Sequence, residues 1–98
     1  MILEVAILYV KHELQGAFEK DFQLAGLYIS STKGYINHTL QKCIEENHKY
    51  ILLVEWEQLE DHTIGFRQSE TYFKWKALLH HYYDPFPVVE HYESIIFD

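Results

Sequence analysis

Residues 2–10 and 50–56 carry apolar side chains at adjacent positions rather than at every second one. Successive side chains of a β-strand point to opposite faces. Leu3, Val5 and Ile7 therefore oppose Ile2, Ala6 and Leu8, and Ile51 and Leu53 oppose Leu52 and Val54. Glu4 is the one charge in the first run. Strands apolar on both sides belong in the middle of a sheet whose two faces are covered. A chain of 98 residues must supply both covers, or a second copy must supply one.

The other segments set the order of elements. Leu14, Phe18, Phe22, Ala25 and Ile29 recur at spacings of three and four, which places them on one helix face. Gly26, which costs a helix about 1 kcal/mol against Ala, suits a close approach of helix to sheet. Residues 30–34 turn the chain. Residues 35–44 alternate, with Ile36, His38 and Leu40 opposing Tyr35, Asn37 and Thr39, and their polar admixture predicts an edge strand. A short polar loop then leads into residues 50–56, giving an antiparallel hairpin. A short helix is predicted at 62–66 and a longer one from Glu70 to about His81, capped by Ser69. Tyr72, Trp75, Leu78 and Leu79 share its inner side, and Pro85 and Pro87 stop it. Residues 88–97 alternate again as a last strand.

The order β-α-β-β-α-β predicts an α+β, ferredoxin-like domain spanning residues 1–98. It has a four-stranded antiparallel sheet with helices on one face. Nothing is left in the chain to cover the other face of the two central strands. A homodimer joined sheet to sheet is the economical solution, since exposed apolar patches of that size are uncommon on monomers.

Charge and motifs exclude several classes of function. The net charge is −7 and the basic residues are scattered, so neither nucleic acid nor an anionic membrane is an expected partner. No apolar run approaches a membrane span, and the N-terminus lacks a signal-peptide pattern. The single cysteine, Cys43, fits a reducing cytoplasm. Gly16, Gly26, Gly34 and Gly65 form no nucleotide-binding loop, and no His or Cys spacing of a zinc site is present. Neither a metal nor another cofactor is expected. Aromatic residues make up 16% of the chain, enough for a bulky core together with a pocket for a flat ligand.

The stretch 50–92 carries a recognisable pattern: Glu55-Trp56-Glu57, Leu59-Glu60-Asp61-His62, Phe66-Arg67-Gln68-Ser69, then Tyr72, Trp75, Pro87 and His91-Tyr92. Together with Gly34-Tyr35-Ile36-Asn37-His38 and Cys43-Ile44-Glu45 upstream, it resembles the antibiotic-biosynthesis-monooxygenase domain of the dimeric α/β-barrel superfamily. The resemblance implies two ferredoxin-like protomers joined at their sheets, with a pocket between sheet and helices in each. It also implies, for some members, oxidation of phenols or quinols by molecular oxygen without metal or flavin. Other members degrade haem. Here the first strand has no Asn, and Phe66 and Lys76 stand where those members have Trp and His, so the resemblance does not extend to haem.

Against this background His62, beside Asp61, is the candidate proton acceptor for a phenolic substrate. Trp56, Phe66, Tyr72 and Trp75 are candidate pocket walls, with His38 or Arg67 as a polar aid. Each has a plainer reading: core or interface rings for the aromatics, a helix-start hydrogen bond for His62, and a surface pair with Glu60 or Asp61 for Arg67. The expected activity is a cofactor-independent monooxygenase acting on a small aromatic. The alternatives are a non-catalytic ligand-binding or stress-response module, or a dimer scaffold with a filled core.

Overall fold

The computed structural model describes residues 1–97. Strands β1 (Ile2–Tyr9), β2 (Tyr35–Lys42), β3 (Lys49–Trp56) and β4 (Val89–Glu93) form one antiparallel sheet in the order β2-β3-β1-β4. The two doubly apolar strands are central and the two mixed strands are edges. Helices α1 (Gln15–Ser30) and α2 (Glu70–Leu79) pack side by side against one face, which is the ferredoxin-like α+β arrangement. The molecule measures only 20 Å along its shortest axis, as one sheet and one helical layer require.

The core lies between those layers. Phe18, Phe22, Ala25 and Ile29 of α1 and Trp75 and Leu79 of α2 meet the inner side of the sheet: Ala6 and Leu8 of β1, and Leu52, Val54 and Trp56 of β3. Gly26 leaves room for β2 beneath α1, since a β-carbon there would stand 3.0 Å from His38 Nε2. Ser69 caps α2 by accepting the Tyr72 N–H at 3.1 Å. No helix among the described residues is long and apolar enough to cross a membrane.

Several boundaries differ from the sequence expectation, each for a local reason. β4 ends at Glu93 rather than reaching Phe97, because Glu93 pairs with Ile2, where β1 begins; Ile95 and Phe97 lie exposed beyond it. β2 stops at Lys42, ahead of Ile44, as the hairpin turns. Its alternation is broken by a bulge between Tyr35 and Asn37, so Ile36 points outward while Tyr35 and His38 share the inner face. α2 gives way after Leu79 to a tight turn, His80–Tyr82, and Val10 leaves β1 to bridge Tyr83.

The outer face of the sheet carries Leu3, Val5, Ile7, Ile51 and Leu53 with no helix over it. Tyr92 of β4, opposite Leu3, extends this apolar surface.

Candidate functional site

Strand register assembles the site. Antiparallel pairing of β1 with β4 sets Glu4 directly opposite His91, while pairing with β3 sets Glu4 opposite Val54 and so diagonal to Trp56. The Trp56 indole Nε1–H donates to Glu4 Oε1 at 2.9 Å. After β3 the chain winds into a wide turn, Asp61–Phe66, in which the Arg67 N–H reaches five residues back to the His62 carbonyl. Such π-type turns are rare and concentrate at functional sites. This one lowers His62 onto the sheet. Its ring stacks on Trp56 with centroids 5.4 Å apart, its Nδ1 lies 2.8 Å from His91 Nε2, and its Nε2 lies 3.4 Å from Glu4 Oε1.

Gly34 fixes the turn from outside. Its φ is +87°, and a β-carbon there would overlap the Asp61 carboxylate. That carboxylate accepts the Gln58 N–H at 3.0 Å.

Glu4 and His62 are 4% and 3% exposed, and burial governs their protonation. Removal from water pushes the Glu4 carboxyl up from 4.5 to about 7, against the opposing pull of the Trp56 hydrogen bond and the Arg67 charge. Burial pushes His62 down to about 3, assisted by Arg67 and His91. Burial and Arg67 also lower His91. His62 is thus a neutral imidazole at pH 7, and its approach to Glu4 is a polar contact rather than an ion pair. In the tautomer with the proton on Nδ1, that N–H points at His91 and the Nε2 lone pair faces the Glu4 carboxyl 3.4 Å away.

Glu4 and His62 open onto a cavity of about 330 Å³ between the sheet and α2. Ala6, Leu8, Leu52 and Val89 give it an apolar floor; Tyr72 and Trp75 of α2 stand opposite, and His80, Tyr83 and Phe86 line its far end. Phe66 meets Tyr72 and Trp75 edge-on at 5.3 and 5.7 Å. The volume is at the low end for ligand pockets, about 300–1,000 Å³. Apolar walls converging on a few polar groups can hold a flat ring and exchange a proton with it.

Of the residues singled out in the sequence, the fold brings His62, Phe66, Arg67, Tyr72 and Trp75 to this cavity. Two lie elsewhere. Trp56 is fully buried behind His62 and does not line the cavity. His38 is bonded to the Tyr35 hydroxyl and packed against Phe22 and Gly26, away from it, because it stands opposite Val54 on the inner face of edge strand β2, under α1. Arg67 makes no ion pair with Glu60 or Asp61 among the described residues; it is exposed at the cavity. Glu4 and His91 are the polar members that sequence reasoning passed over. The available signal was a carboxylate inside an otherwise apolar strand. Among the described residues no three His, Cys, Asp or Glu side chains are grouped to hold a metal ion.

Fold and cavity together define a ferredoxin-like α+β protein with a small ring-lined pocket between sheet and helices. The profile of the antibiotic biosynthesis monooxygenase family matches residues 1–78, and the chain belongs to that family. It is 57% identical over 95 residues to the uncharacterized protein YczJ of Bacillus subtilis (strain 168), covering 97% of this chain and 100% of that one. A Bordetella bronchiseptica protein assigned to the antibiotic biosynthesis monooxygenases superposes with a TM-score of 0.91 at 27% identity, over 97% of each chain. SnoaB, a cofactor-independent oxygenase from Streptomyces nogalater, superposes with a TM-score of 0.73 at 17% identity, over 98% of this chain and 94% of SnoaB, and so shares the fold.

Proposed function

We propose that this protein oxidises a small aromatic substrate bearing an acidic O–H, of the phenol or quinol kind, with molecular oxygen. The observation that carries the reading is the polar end of the ring-lined cavity, where His62 and Glu4 sit with the Arg67 guanidinium beside them. Phe66, Tyr72 and Trp75 hold the ring. Proton loss from the substrate through His62 leaves an electron-rich oxyanion, which the Arg67 charge stabilises. That oxyanion supplies the electrons for oxygen. A ring C–H is replaced by C=O, the second oxygen atom leaves as water, and a phenol becomes a quinone. The balance needs no electron donor besides the substrate. Membership of the monooxygenase family and the fold shared with SnoaB support this assignment.

The working unit in this reading is a homodimer whose bare sheet faces cover each other. Its support is the apolar outer surface of Leu3, Val5, Ile7, Ile51 and Leu53.

The test is oxygen uptake by the purified protein with a panel of hydroquinones, naphthols and anthrones. The expected result is substrate-dependent uptake that falls about 10²–10⁴-fold in His62→Ala. No uptake with any member, or full turnover by His62→Ala, defeats the proposal. A ring compound that raises Tm without oxygen uptake points instead to a binding module.

A further inference from the structure

We propose that Glu4 is a catalytic residue, the group that first takes the substrate proton, and that His62 and His91 carry that proton from the cavity to solvent. The inference rests on the proton-abstracting reading above and adds the route. Three geometric facts support it. Glu4 Oε1 accepts the Trp56 N–H and lies beside His62, whereas Oε2 has no protein partner among the described residues. Thr32 Oγ1 is the one fully enclosed side-chain polar atom without a partner among the described residues, so Oε2 is not sealed off and faces the cavity that Glu4 lines. From Oε1 the spacing runs 3.4 Å to His62 Nε2 and, across the ring, 2.8 Å from Nδ1 to His91 Nε2. His91 lies on edge strand β4 and is half-buried, which ends the row at water.

The protons balance. The Glu4 carboxylate gains the substrate proton at Oε2, rotation of the carboxyl turns that proton toward His62, and His62 Nε2 takes it as its own Nδ1–H passes to His91. His91 then releases one to water. Every side chain ends with the number of protons it began with; the substrate has lost one and solvent has gained one. Water formation later in the reaction draws a proton back along the same row and restores the ring tautomers. The groups acting on this row are the Trp56 N–H from β3 and Arg67, just after the wide turn; Tyr72 of α2 and, at the far end, His80 and Tyr83 line the same cavity. Burial holds Glu4 near pH 7, where a carboxyl accepts and returns a proton with similar ease.

The probe is 3-nitrophenol, whose ionisation is visible, added to the full chain just above pH 7, where Glu4 is largely ionised and the free phenol is still largely protonated. Wild type should bind it as the anion, and Glu4→Gln should bind it as the neutral phenol. His91→Gln should still ionise it but release the proton to a pH indicator at least tenfold more slowly, with the rate restored by free imidazole. That rescue separates proton carriage from a merely structural role. Circular dichroism establishes that the variants are folded. Were Glu4→Gln to misfold, Glu4→Asp answers the same question, since its withdrawn carboxylate should ionise the probe at least tenfold more slowly than wild type. Failure of wild type to ionise the probe, ionisation by Glu4→Gln equal to wild type, ionisation by Glu4→Asp as fast as wild type, or unimpaired release by His91→Gln each overturns the relay. Oxygen uptake is not the readout. A protein that ionises nitrophenol through Glu4 yet oxidises nothing keeps the relay and loses the monooxygenase reading.

Discussion

Trp56 Nε1 lies 2.9 Å from Glu4 Oε1, joining the last residue of β3 to the third residue of β1 beneath the helical layer. The indole is fully buried, and its N–H opposes the burial that raises the Glu4 carboxyl. Trp56→Phe keeps a ring but removes the donor. It should cost about 2–4 kcal/mol through the lost hydrogen bond and the cavity left behind. It should also move the Glu4 carboxyl above 7. Chemical denaturation and ¹³C-carboxyl titration by NMR read the two effects separately.

The two buried titratable groups predict an unusual pH profile of stability. Glu4 titrates near 4.5 unfolded and about 7 folded, so its stabilisation is full below 4.5 and lost as pH rises to 7. His62 runs the other way. Its folded value of about 3 lies below the unfolded 6.5, so its stabilisation is full above 6.5 and lost as pH falls toward 3. Between pH 4.5 and 6.5 the slopes oppose at about 1.4 kcal/mol per unit each and cancel. These two contributions therefore cancel in wild type, leaving the rise with pH that the lowered His38, His80 and His91 contribute. Relative to wild type, Glu4→Gln should gain about 3 kcal/mol from pH 4.5 to 6.5, and His62→Gln should lose about as much. Urea denaturation at three pH values checks all three.

Gly34 should tolerate no side chain. At φ +87° an L-residue is strained by about 1–3 kcal/mol, before the overlap with Asp61 is counted. Gly34→Ala should lower Tm and loosen the turn bearing His62. Adding Asp61→Ala should remove the carboxylate overlap and leave the strain and the 2.8 Å approach of the residue-61 β-carbon, so the double variant should lie between wild type and the single variant in a thermal melt.

Leu53→Lys places a charge at the centre of the outer sheet face. Analytical ultracentrifugation should find wild type at twice the 11.8 kDa of one chain, and the variant should shift toward the single-chain mass. A wild type that sediments as one chain at micromolar concentration contradicts the proposed dimer.

Much of this architecture is legible in the sequence because it follows from local pattern. Adjacent apolar residues mark β1 and β3 as central, and alternation marks β2 and β4 as edges. Ser69 announces the start of α2. What escapes local pattern is register. Nothing near Glu4 shows that it will stand opposite His91, because that pairing depends on where β4 enters beside β1, more than eighty residues later. For the same reason the last strand reads too long: residues 94–97 continue its alternation, but β1 has no residue left to pair with them. The bulge at Ile36 inverts the facing of Tyr35 and brings its hydroxyl to His38. The rings lining the cavity are visible as aromatics at helical spacing, whereas Trp56 looks the same in sequence and ends up behind the wall.

Because Ile36 pushes the backbone outward at the start of β2, that border of the sheet offers no straight template for another strand. The opposite border is a strand of five residues that includes Glu90 and Glu93. Lateral growth into ribbons or fibrils is resisted at both margins by shape at one and by brevity and charge at the other. A chain this rich in aromatic and β-branched residues is thereby directed away from open-ended aggregation.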